Sequence, residues 1–472
     1  MGVPNAPATA TRTPPDTPVL TGGRAVGLVA TLILGVLSYQ LNASMLAPAL
    51  PDIARELRTD VAVVSQVTSL FFLAGAIGGV VLSRWSDYIG RRPALIVVLV
   101  VATVGTIVCV LAPNLSLLLT GRVLQGASSA AFQLAYVILS ESLSAKVFGT
   151  TLGVITAVNG GAGGLDGWVS GLLTDNFGYR SVFVVILIFV VLSLLAVILV
   201  VPAGGRPTPT GRMDWWGAAV LSLSLICMTY FVSHGASAGW LAPVTLAYLV
   251  GTLVSFTSFW MIEKRRASPL IAVRHLRSRQ VWPVIISTIL TLSGIFAVIN
   301  FTVVLLGQNA EVGYGLDAAT SALFFLAPAA LIGVAAAPLS GWLADKQGWI
   351  RILRIGLVLS LLALVVIAVI PTHQGAVIAC VAVLGITYNG LVLTTINGLG
   401  VLLSPSEAPA ALPGLNGAGF GIGASLGIAI VAPFTAAGTL DGFTTALWVS
   451  IAITGLALGA SLLIRPRPGQ KL

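Results

Sequence analysis

A single carboxylate, Asp166, stands in the middle of the glycine-dense run NGGAGGLDGWVSG, which covers residues 159–171 of an apolar segment. No other acidic residue lies so deep in such a segment. A carboxylate held away from water favours its protonated form, which allows it to take up and release protons near neutral pH. The alternative is a hydrated loop between two helices. The helical patterns of residues 150–157 and 168–173 favour one continuous helix with an acid inside it.

The composition of the whole chain places that acid in a membrane. Of the 472 residues, 57% are hydrophobic and 8% are charged, whereas about 25% are charged in soluble globular proteins. The mean hydropathy is +1.01. A charge at bilayer depth costs about 2.5 to 3.5 kcal/mol and by default marks a functional site. The net charge of +9 is explained by basic cytoplasmic loops rather than by a nucleic-acid partner.

Apolar stretches of about 20 residues, the length that crosses a bilayer, occur fourteen times along the chain. They lie near residues 25–47, 61–83, 93–112, 115–140, 148–173, 181–202, 214–234, 241–262, 281–306, 318–341, 353–371, 375–403, 411–434 and 443–464. An even number of spans puts both termini on one side. If that side is the cytoplasm, it holds 20 of the 24 Lys and Arg residues, while Arg55, Arg58 and Arg180 face outward and Arg122 lies in span four. We therefore expect a multi-pass protein of the cell (plasma or inner) membrane with both termini cytoplasmic.

Two similar segments divide the chain into halves. SRWSDYIGRR (83–92) follows span two, and GWLADKQGWIR (341–351) follows span ten. Spans seven and eight, which hold no membrane-embedded charge, are then an inserted, lipid-facing pair outside the core. Two such halves with a binding site between them are typical of secondary transporters. The predicted organisation is a disordered cytoplasmic tail (1–23), an N-terminal six-helix bundle (24–202), a linker (203–213), two extra helices (214–262), a cytoplasmic loop (263–280), a C-terminal six-helix bundle (281–464) and a cytoplasmic tail (465–472).

The segment 83–92 resembles the loop signature G-x-x-x-D-R-x-G-R-R of the major facilitator superfamily. Asp87, Gly90, Arg91 and Arg92 match it, whereas Ser83 and Tyr88 depart from it. Fourteen spans, LPDIA at 50–54 and DWWG at 214–217 make the chain similar to the fourteen-helix drug/proton antiporter family over about residues 25–464. The resemblance implies an all-α polytopic membrane protein with the major facilitator fold, built from two six-helix bundles plus two extra helices.

The resemblance also implies a gating role for the 83–92 loop and its counterpart. Asp87 with Arg91 and Arg92 could clasp a neighbouring helix terminus, and Asp345 and Lys346 occupy the second loop. An ordinary positive-inside loop is the alternative. That reading explains the arginines but not the spacing of Asp87 and Gly90.

Arg122 lies in RVLQG (122–126), which resembles the superfamily's fourth-helix signature R-x-x-Q-G. A buried guanidinium stays charged and needs acceptors. It could keep a nearby carboxylate ionised until a conformational change separates the two, which would couple protons to motion. The alternative is a structural arginine bonded to backbone carbonyls of helix one or two.

The glycine run aligns with the family's fifth-helix antiporter signature G-P-x-x-G-G, placed by the following GYR (178–180). Asp166-Gly167 stands where Gly-Pro is usual, and Ser170-Gly171 replaces Gly-Gly. The family's L-D-x-T run in helix one appears as LNAS (41–44), so that an amide, Asn42, replaces an acid. We hypothesise that Asp166 substitutes for this missing proton site, with Arg122 as its coupling partner.

Candidates for substrate contact are polar or aromatic residues of spans that line the central cavity in this family. They are Gln40, Asn42, Gln133, Tyr136, Asn159, Asn300, Tyr388, Asn389 and Asn397. Each could instead form a hydrogen bond between helices, because amides often join helices in bilayers.

These features predict a proton-coupled secondary transporter that exports small amphipathic or cationic compounds by alternating access, acting as a monomer on a small-molecule substrate and protons in the lipid bilayer. One alternative is a proton symporter or uniporter that imports an organic metabolite. Another is a membrane sensor or scaffold without turnover, although the short loops leave little surface for partners. No phosphate-binding loop, hydrolytic constellation or metal-ligand cluster is evident, so we expect no enzyme activity, cofactor or metal.

Overall fold

A computed structural model describes residues 22–143, 151, 165–202, 213–266, 270, 278–403 and 411–465, which form long helices joined by short turns. We label these helices α1 to α14 in chain order. The N-terminal group comprises α1 (Gly22–Glu56), α2 (Val61–Ile89), α3 (Arg91–Leu111), α4 (Leu115–Gly126 and Ser129–Ser142), α5 (165–177) and α6 (Arg180–Val200). Two further helices, α7 (Trp215–Ala238) and α8 (Pro243–Arg265), follow. The C-terminal group comprises α9 (Trp282–Gln308), α10 (Ala318–Gln347), α11 (Trp349–Val369), α12 (Gln374–Gly400), α13 (Ala411–Ala436) and α14 (Leu440–Leu462).

Twelve of these helices are long and apolar enough to cross a membrane, and no β-strand occurs among the described residues. The other two are α4, which is interrupted at residues 127–128, and α5, whose described part covers only 165–177. The prediction of an all-α polytopic membrane protein is confirmed. Of the fourteen predicted spans, twelve are present as long apolar helices.

Hydrogen bonds between helix termini define two ends of the bundle. At the proximal end, where α1 begins and α14 stops, Arg92 Nη2 donates to the carbonyl oxygen of Ile198 near the end of α6 (2.7 Å). At the opposite, distal end, Asn309 Nδ2 donates to the carbonyl oxygen of Gly438 (3.4 Å). Where the connections are described, short turns reverse the chain, so the two helices that such a turn joins run in opposite directions.

Buried apolar side chains form separate clusters within and between the two groups. One cluster, which includes Leu95, lies within α1–α6, and another, which includes Leu364, is drawn almost entirely from α9–α14. A third, extending to the distal turns, joins Phe71 of α2 to Phe301 of α9. We call the contact surface between the two groups the seam. Lipid tails are as apolar as these side chains, so close packing rather than water exclusion holds the helices together.

Two glycines at corresponding positions of the two similar segments have matching backbone conformations. Gly90 ends α2 and precedes α3 with φ 98° and ψ 152°, and Gly348 ends α10 and precedes α11 with φ 100° and ψ 131°. Residues with a side chain rarely adopt this left-handed region, whereas glycine does so without steric cost. The same tight reversal therefore follows the second helix of each group.

The two inserted helices have different environments. α7 packs against both α2 and α13, and its Leu221 and Leu225 are buried in a cluster that also contains Leu73 of α2 and contacts Ile422 of α13. α8 packs on α7 and leaves side chains such as Leu253 exposed. The expected lipid-facing position outside the core fits α8 but not α7, because the apolar face of α7 covers the seam.

Candidate functional site

Asp166 lies on α5 against α1. The residue is only 7% exposed, and its Oδ2 accepts a hydrogen bond from the Ser44 hydroxyl of α1. The second oxygen, Oδ1, is buried without a hydrogen-bond partner among the described residues. An unpaired buried acceptor costs about 1–3 kcal/mol, and protonation removes the charge that makes burial expensive. This environment suits a group that exchanges a proton.

Ser44 has two acceptors within reach of its hydroxyl: Oδ2 of Asp166 and the backbone oxygen of Gln40, at 2.8 Å. A hydroxyl has only one hydrogen to donate. When Asp166 is ionised, Ser44 donates to the carboxylate. When Asp166 is protonated, the carboxyl group can donate to Ser44 Oγ, and Ser44 then donates to Gln40. The hydrogen bonds of α1 therefore depend on the proton at Asp166.

Ser170, one helical turn after Asp166, makes a second contact between α5 and α1. Its hydroxyl donates to the carbonyl oxygen of Met45. The sequence did not identify Ser44 or Ser170 as site residues. For Ser44 a signal existed, because it occupies the hydroxyl position of the L-D-x-T run that it resembles.

Arg122 of α4 is fully buried and bonded to neutral acceptors. Its Nε donates to the backbone oxygen of Val67 (2.8 Å), Nη2 to that of Asn42 (3.1 Å) and Nη1 to Oε1 of Gln125 (2.7 Å). The guanidinium also stacks over Phe71, 4.3 Å from the ring centroid. These contacts match the structural alternative, in which the arginine binds backbone carbonyls of helices one and two.

Arg122 and Asp166 are not in contact, and no acidic side chain within the described ranges pairs with the guanidinium. They are linked through α1 instead, because Asn42 binds Arg122 and Ser44, two residues later, binds Asp166. The Asn42 side chain is buried and donates to the backbone oxygen of Ser38 (2.9 Å). Asn42 thus contacts its own helix.

Two of the predicted cavity amides approach the same part of α13. Gln133 of α4 accepts a hydrogen bond from Ser83 (2.5 Å), and its Nε2 lies 3.2 Å from where a Cβ on Gly417 would stand. Asn397 of α12 accepts at Oδ1 from Nδ2 of Asn416 (3.2 Å). Because residues 416 and 417 are adjacent on α13, amides from both groups meet at the seam.

The other predicted cavity residues have more local surroundings. Asn300 Nδ2 donates to the backbone oxygen of its own helix at Phe296 (3.2 Å), and Asn389 Nδ2 donates to that of Ala329 (2.8 Å). Tyr388 is 2% exposed within the C-terminal core. Gln40 lies beside Ser44 (3.4 Å), Tyr136 packs edge-on to Phe132 with ring centroids 4.6 Å apart, and Asn159 lies outside the described residues.

A row of aromatic rings, which the sequence did not indicate, crosses the seam. Phe296 of α9 lies edge-on to Phe72 of α2 (5.4 Å between centroids) and to Phe420 of α13 (5.7 Å). Tyr39 of α1 stacks on Phe71 (5.9 Å). Single aromatic residues in apolar spans carry no periodic signal that separates them from lipid-facing ones.

The predicted gating residues of the first loop bind within the N-terminal group. Asp87 accepts from Arg84 (2.8 Å) and from Arg91 (2.5 Å), and Arg91 also contacts Glu141 (3.3 Å). Arg92 binds the end of α6, and Gly90 provides the helix reversal. These bonds hold the loop to α2, α4 and α6 of its own group.

The second loop is likewise self-contained. Asp345 Oδ1 accepts a hydrogen bond from the indole of Trp349 (3.0 Å), and the Lys346 ammonium lies 3.9 Å from the ring centroid of Trp342. Among the described residues, neither loop makes an ion pair with the opposite group.

Comparisons with known proteins agree with this architecture. The family model of the Major Facilitator Superfamily matches residues 32–428. The chain is 34% identical over 421 residues to the uridine/deoxyuridine transporter of Lactococcus lactis subsp. cremoris (strain MG1363), covering 87% of each chain. It is 26% identical to the multidrug resistance protein Stp of Mycobacterium tuberculosis (strain H37Rv), covering 86% of this chain and 74% of that protein.

Solved structures show the same fold at low identity. A POT family transporter in complex with 5-aminolevulinic acid superposes with a TM-score of 0.69 at 16% identity, covering 93% of this chain and 96% of the other. The human organic anion transporter MFSD10 gives 0.62 at 16% identity, covering 94% and 100%. With the family model spanning most of the helices, the chain belongs to the Major Facilitator Superfamily and is a membrane transporter of small-molecule substrates.

Proposed function

We propose that this transporter is proton-coupled and that Asp166 is the group that binds the proton. The observation that carries the proposal is the buried contact between Asp166 and Ser44, with one carboxylate oxygen that has no hydrogen-bond partner among the described residues. Loading a proton neutralises the carboxylate and redirects the Ser44 hydroxyl toward Gln40. The proton thereby changes how α5 is bonded to α1.

Arg122 acts in this proposal as a positioning residue. By binding Asn42 and Val67 it fixes α1 to α2 next to the residues that hold Asp166. A fully buried positive charge also has a long reach in a low-dielectric interior. Arg122 thus sets the place and the electrostatic surroundings of the site without binding the carboxylate directly.

We further propose fourteen spans with both termini in the cytoplasm. α4 and α5 supply the two that remain beyond the twelve long helices, and the α4 interruption covers only residues 127–128. Of the described Lys and Arg residues, twelve lie at the proximal end and three, Arg55, Arg58 and Arg180, at the distal end. Basic residues concentrate on the cytoplasmic side of membrane proteins, which favours a cytoplasmic proximal end.

For the substrate we propose a nucleoside or a similar compound that combines an aromatic ring with amide-like polar groups. The 34% relative is named as a uridine/deoxyuridine transporter. At the seam, the rings of Phe296 and Phe420 lie on α9 and α13, and the amides Gln133 and Asn397 approach α13 at residues 416 and 417. Stacking on an aromatic ring contributes about 1–3 kcal/mol per base, and amides can both donate to and accept from a base edge.

A second candidate is the export of amphipathic or cationic compounds. It is favoured by the relatives named as multidrug resistance protein Stp and as the tetracenomycin C resistance and export protein of Streptomyces glaucescens, at 26% and 24% identity. A membrane carboxylate can also attract a cation, but a carboxylate that carries the proton is then not free to do so. Transport direction and substrate class separate the two candidates.

Proteoliposomes holding the purified protein would test proton coupling. We expect labelled uridine to accumulate when a pH gradient of one polarity is imposed. The accumulation should disappear when a protonophore is added. Asp166→Asn should cut gradient-driven accumulation at least about tenfold, because an amide does not titrate, while exchange of labelled for unlabelled solute persists. The matched control Glu311→Gln makes the same change in an exposed distal turn and should behave as the unmodified protein.

The outcomes of that experiment discriminate among the candidates. Gradient-driven, protonophore-sensitive accumulation by Asp166→Asn would overturn the role of Asp166. Accumulation of ethidium but not of uridine in inside-out vesicles would replace the nucleoside proposal with the export of amphipathic cations.

A further inference from the structure

α5 presents two neighbouring faces with different partners. Asp166 and Ser170 face α1 of the same group, through Ser44 and Met45. Residues 167, 171 and 175, which are spaced four apart and therefore lie on one side of a helix, face α10 of the opposite group. The helix that carries the proposed proton site thus also forms part of the seam.

Glycines bring α5 and α10 into backbone contact. A Cβ on Gly171 would lie 2.3 Å from Cα of Ala319, and one on Gly167 would lie 2.8 Å from a methyl carbon of Leu326. A backbone atom at 2.3 Å cannot move aside as a flexible side chain would. The absence of a side chain at Gly171 is therefore required for this closeness of the two groups.

Asp175, one turn beyond Gly171, binds the first turn of α10. Its Oδ1 accepts from the backbone amide of Ala318 (3.3 Å) and its Oδ2 from that of Ala319 (3.0 Å). The next backbone amide along α10, that of Thr320, donates to the side chain of Asp317, which precedes the helix (2.6 Å). The first amides of a helix have no partner within the helix, so one acid from each group satisfies them here.

We propose that Asp175 is the residue that holds the distal end of the transporter closed. A carboxylate at a helix N-terminus is favoured by its hydrogen bonds and by the helix dipole, and this one belongs to the group across the seam. Gln308 of α9 supports the closure by donating to the backbone oxygen of Pro48 in α1 (3.2 Å). Opening the distal end must separate Asp175 from Ala318 and Ala319.

Asp175 is exposed, so water can replace the two amides when the contact breaks. The bond therefore biases the equilibrium between closed and open without locking it. Asp175 and Asp166 also lie on one helix, so that a shift of α5 on α1 at Asp166 moves Asp175 relative to α10. This inference rests on the proposed function only in taking transport to proceed by alternating access.

The test measures access to the seam directly. A reporter cysteine, Ala322→Cys, is placed in a background in which Cys109, Cys227 and Cys380 are replaced by alanine. Ala322 is fully buried and lies 3.8 Å from where a Cβ on Gly167 would stand. The rate at which a membrane-impermeant thiol reagent modifies the reporter then reports the fraction of distal-open protein, and needs neither a substrate nor a proton gradient.

We expect Asp175→Asn to raise the modification rate about fivefold, the factor that corresponds to losing a helix-terminal carboxylate. Asp175→Glu, which keeps the charge, should restore most of the closure. The matched control Asp317→Asn removes the carboxylate from the same helix terminus but from its own group, and should leave the rate within about twofold. Uridine transport by Asp175→Asn should lose maximal rate more than apparent affinity.

Equal modification rates for Asp175→Asn and the unmodified protein, or equal increases for Asp175→Asn and Asp317→Asn, would overturn the proposal. Because the reporter rate is independent of proton coupling, a uniporter with a functioning Asp175 gate would still show the fivefold change. If Asp175 is not the gate but the protein is proton-coupled, Asp175→Asn would leave access to the reporter unchanged, and transport would still be sensitive to a protonophore.

Discussion

Asp87 and Asp175 lie at opposite ends of the N-terminal group and bind different kinds of partner. Asp87 pairs with Arg84 and Arg91 of its own group, whereas Asp175 binds the backbone at residues 318–319 of the opposite group. Bonds within one group survive any movement between the groups, but bonds across the seam must break when the seam opens. Of these two acids, only the distal one therefore binds across the seam, and a residue's acidity alone does not identify a gate.

The largest effect is expected from filling the space between α5 and α10. Gly171→Ala adds a methyl group where the backbone of Ala319 leaves no space for one. Such overpacking forces backbone shifts. We expect uridine transport to fall roughly tenfold or more and the Ala322→Cys reporter to become accessible. Both changes would be measured in the same preparations.

The control for that change is Gly455→Ala on α14, where an added Cβ meets no atom within 4 Å. It should leave transport within about twofold of the unmodified protein, because alanine is well tolerated in helices. If Gly455→Ala and Gly171→Ala gave the same transport, close backbone contact at the distal end would have no part in the cycle.

A smaller effect is expected where α5 meets α1. Ser44→Ala removes the donor that stabilises the ionised form of Asp166, and a hydrogen bond to a charged group is worth about 1.5–3 kcal/mol. Losing it makes deprotonation harder, so the pH of half-maximal exchange should rise by about one unit. Measurements of exchange against pH would show the shift.

Ser38→Ala serves as the comparison for that variant. Ser38 lies on the same helix, but its hydroxyl binds the backbone oxygens of Leu34 (2.9 Å) and Phe189 (3.2 Å). Its pH profile should match that of the unmodified protein. An unshifted profile for Ser44→Ala would mean that Ser44 does not sense the proton on Asp166.

The smallest effect on the distal end is expected from the proximal loop. Asp87→Asn weakens two partly exposed ion pairs, which contribute about 0–1 kcal/mol each, and leaves the seam untouched. Access to the Ala322→Cys reporter should stay within about twofold of the starting value. An increase as large as that expected from Asp175→Asn would erase the distinction between the two ends.

The sequence predicted the helical membrane fold well because hydropathy is a local property. Gly90 and Gly348 of the two similar loops have matching backbone conformations, and Asp166 is buried as its place in an apolar segment predicted. The sequence did not predict which side chains contact one another. Ser44 and Asp166 are 122 residues apart, and their meeting depends on how each helix is rotated about its axis.

The orientation of each helix about its own axis also explains why some predicted site residues do not lie together in the structure. Asn42 and Tyr388 are polar positions in spans of the bundle, yet each faces its own group. Gly167, Gly171 and Asp175 are spaced four residues apart in the sequence, which places them on one face of a helix. The sequence does not identify α10 as the helix that packs on this face, because a stripe of glycines indicates a close approach but not which helix approaches.

The position of α7 has a consequence for how substrates reach the transporter. Leu221 and Leu225 cover the groove between α2 and α13, so acyl chains and compounds dissolved among them meet the outer surface of α7 at that groove instead of the helices behind it. At this part of the groove α7 therefore separates the lipid from α2 and α13. A water-soluble compound, such as the nucleoside proposed above, arrives from the aqueous phase and does not have to pass α7.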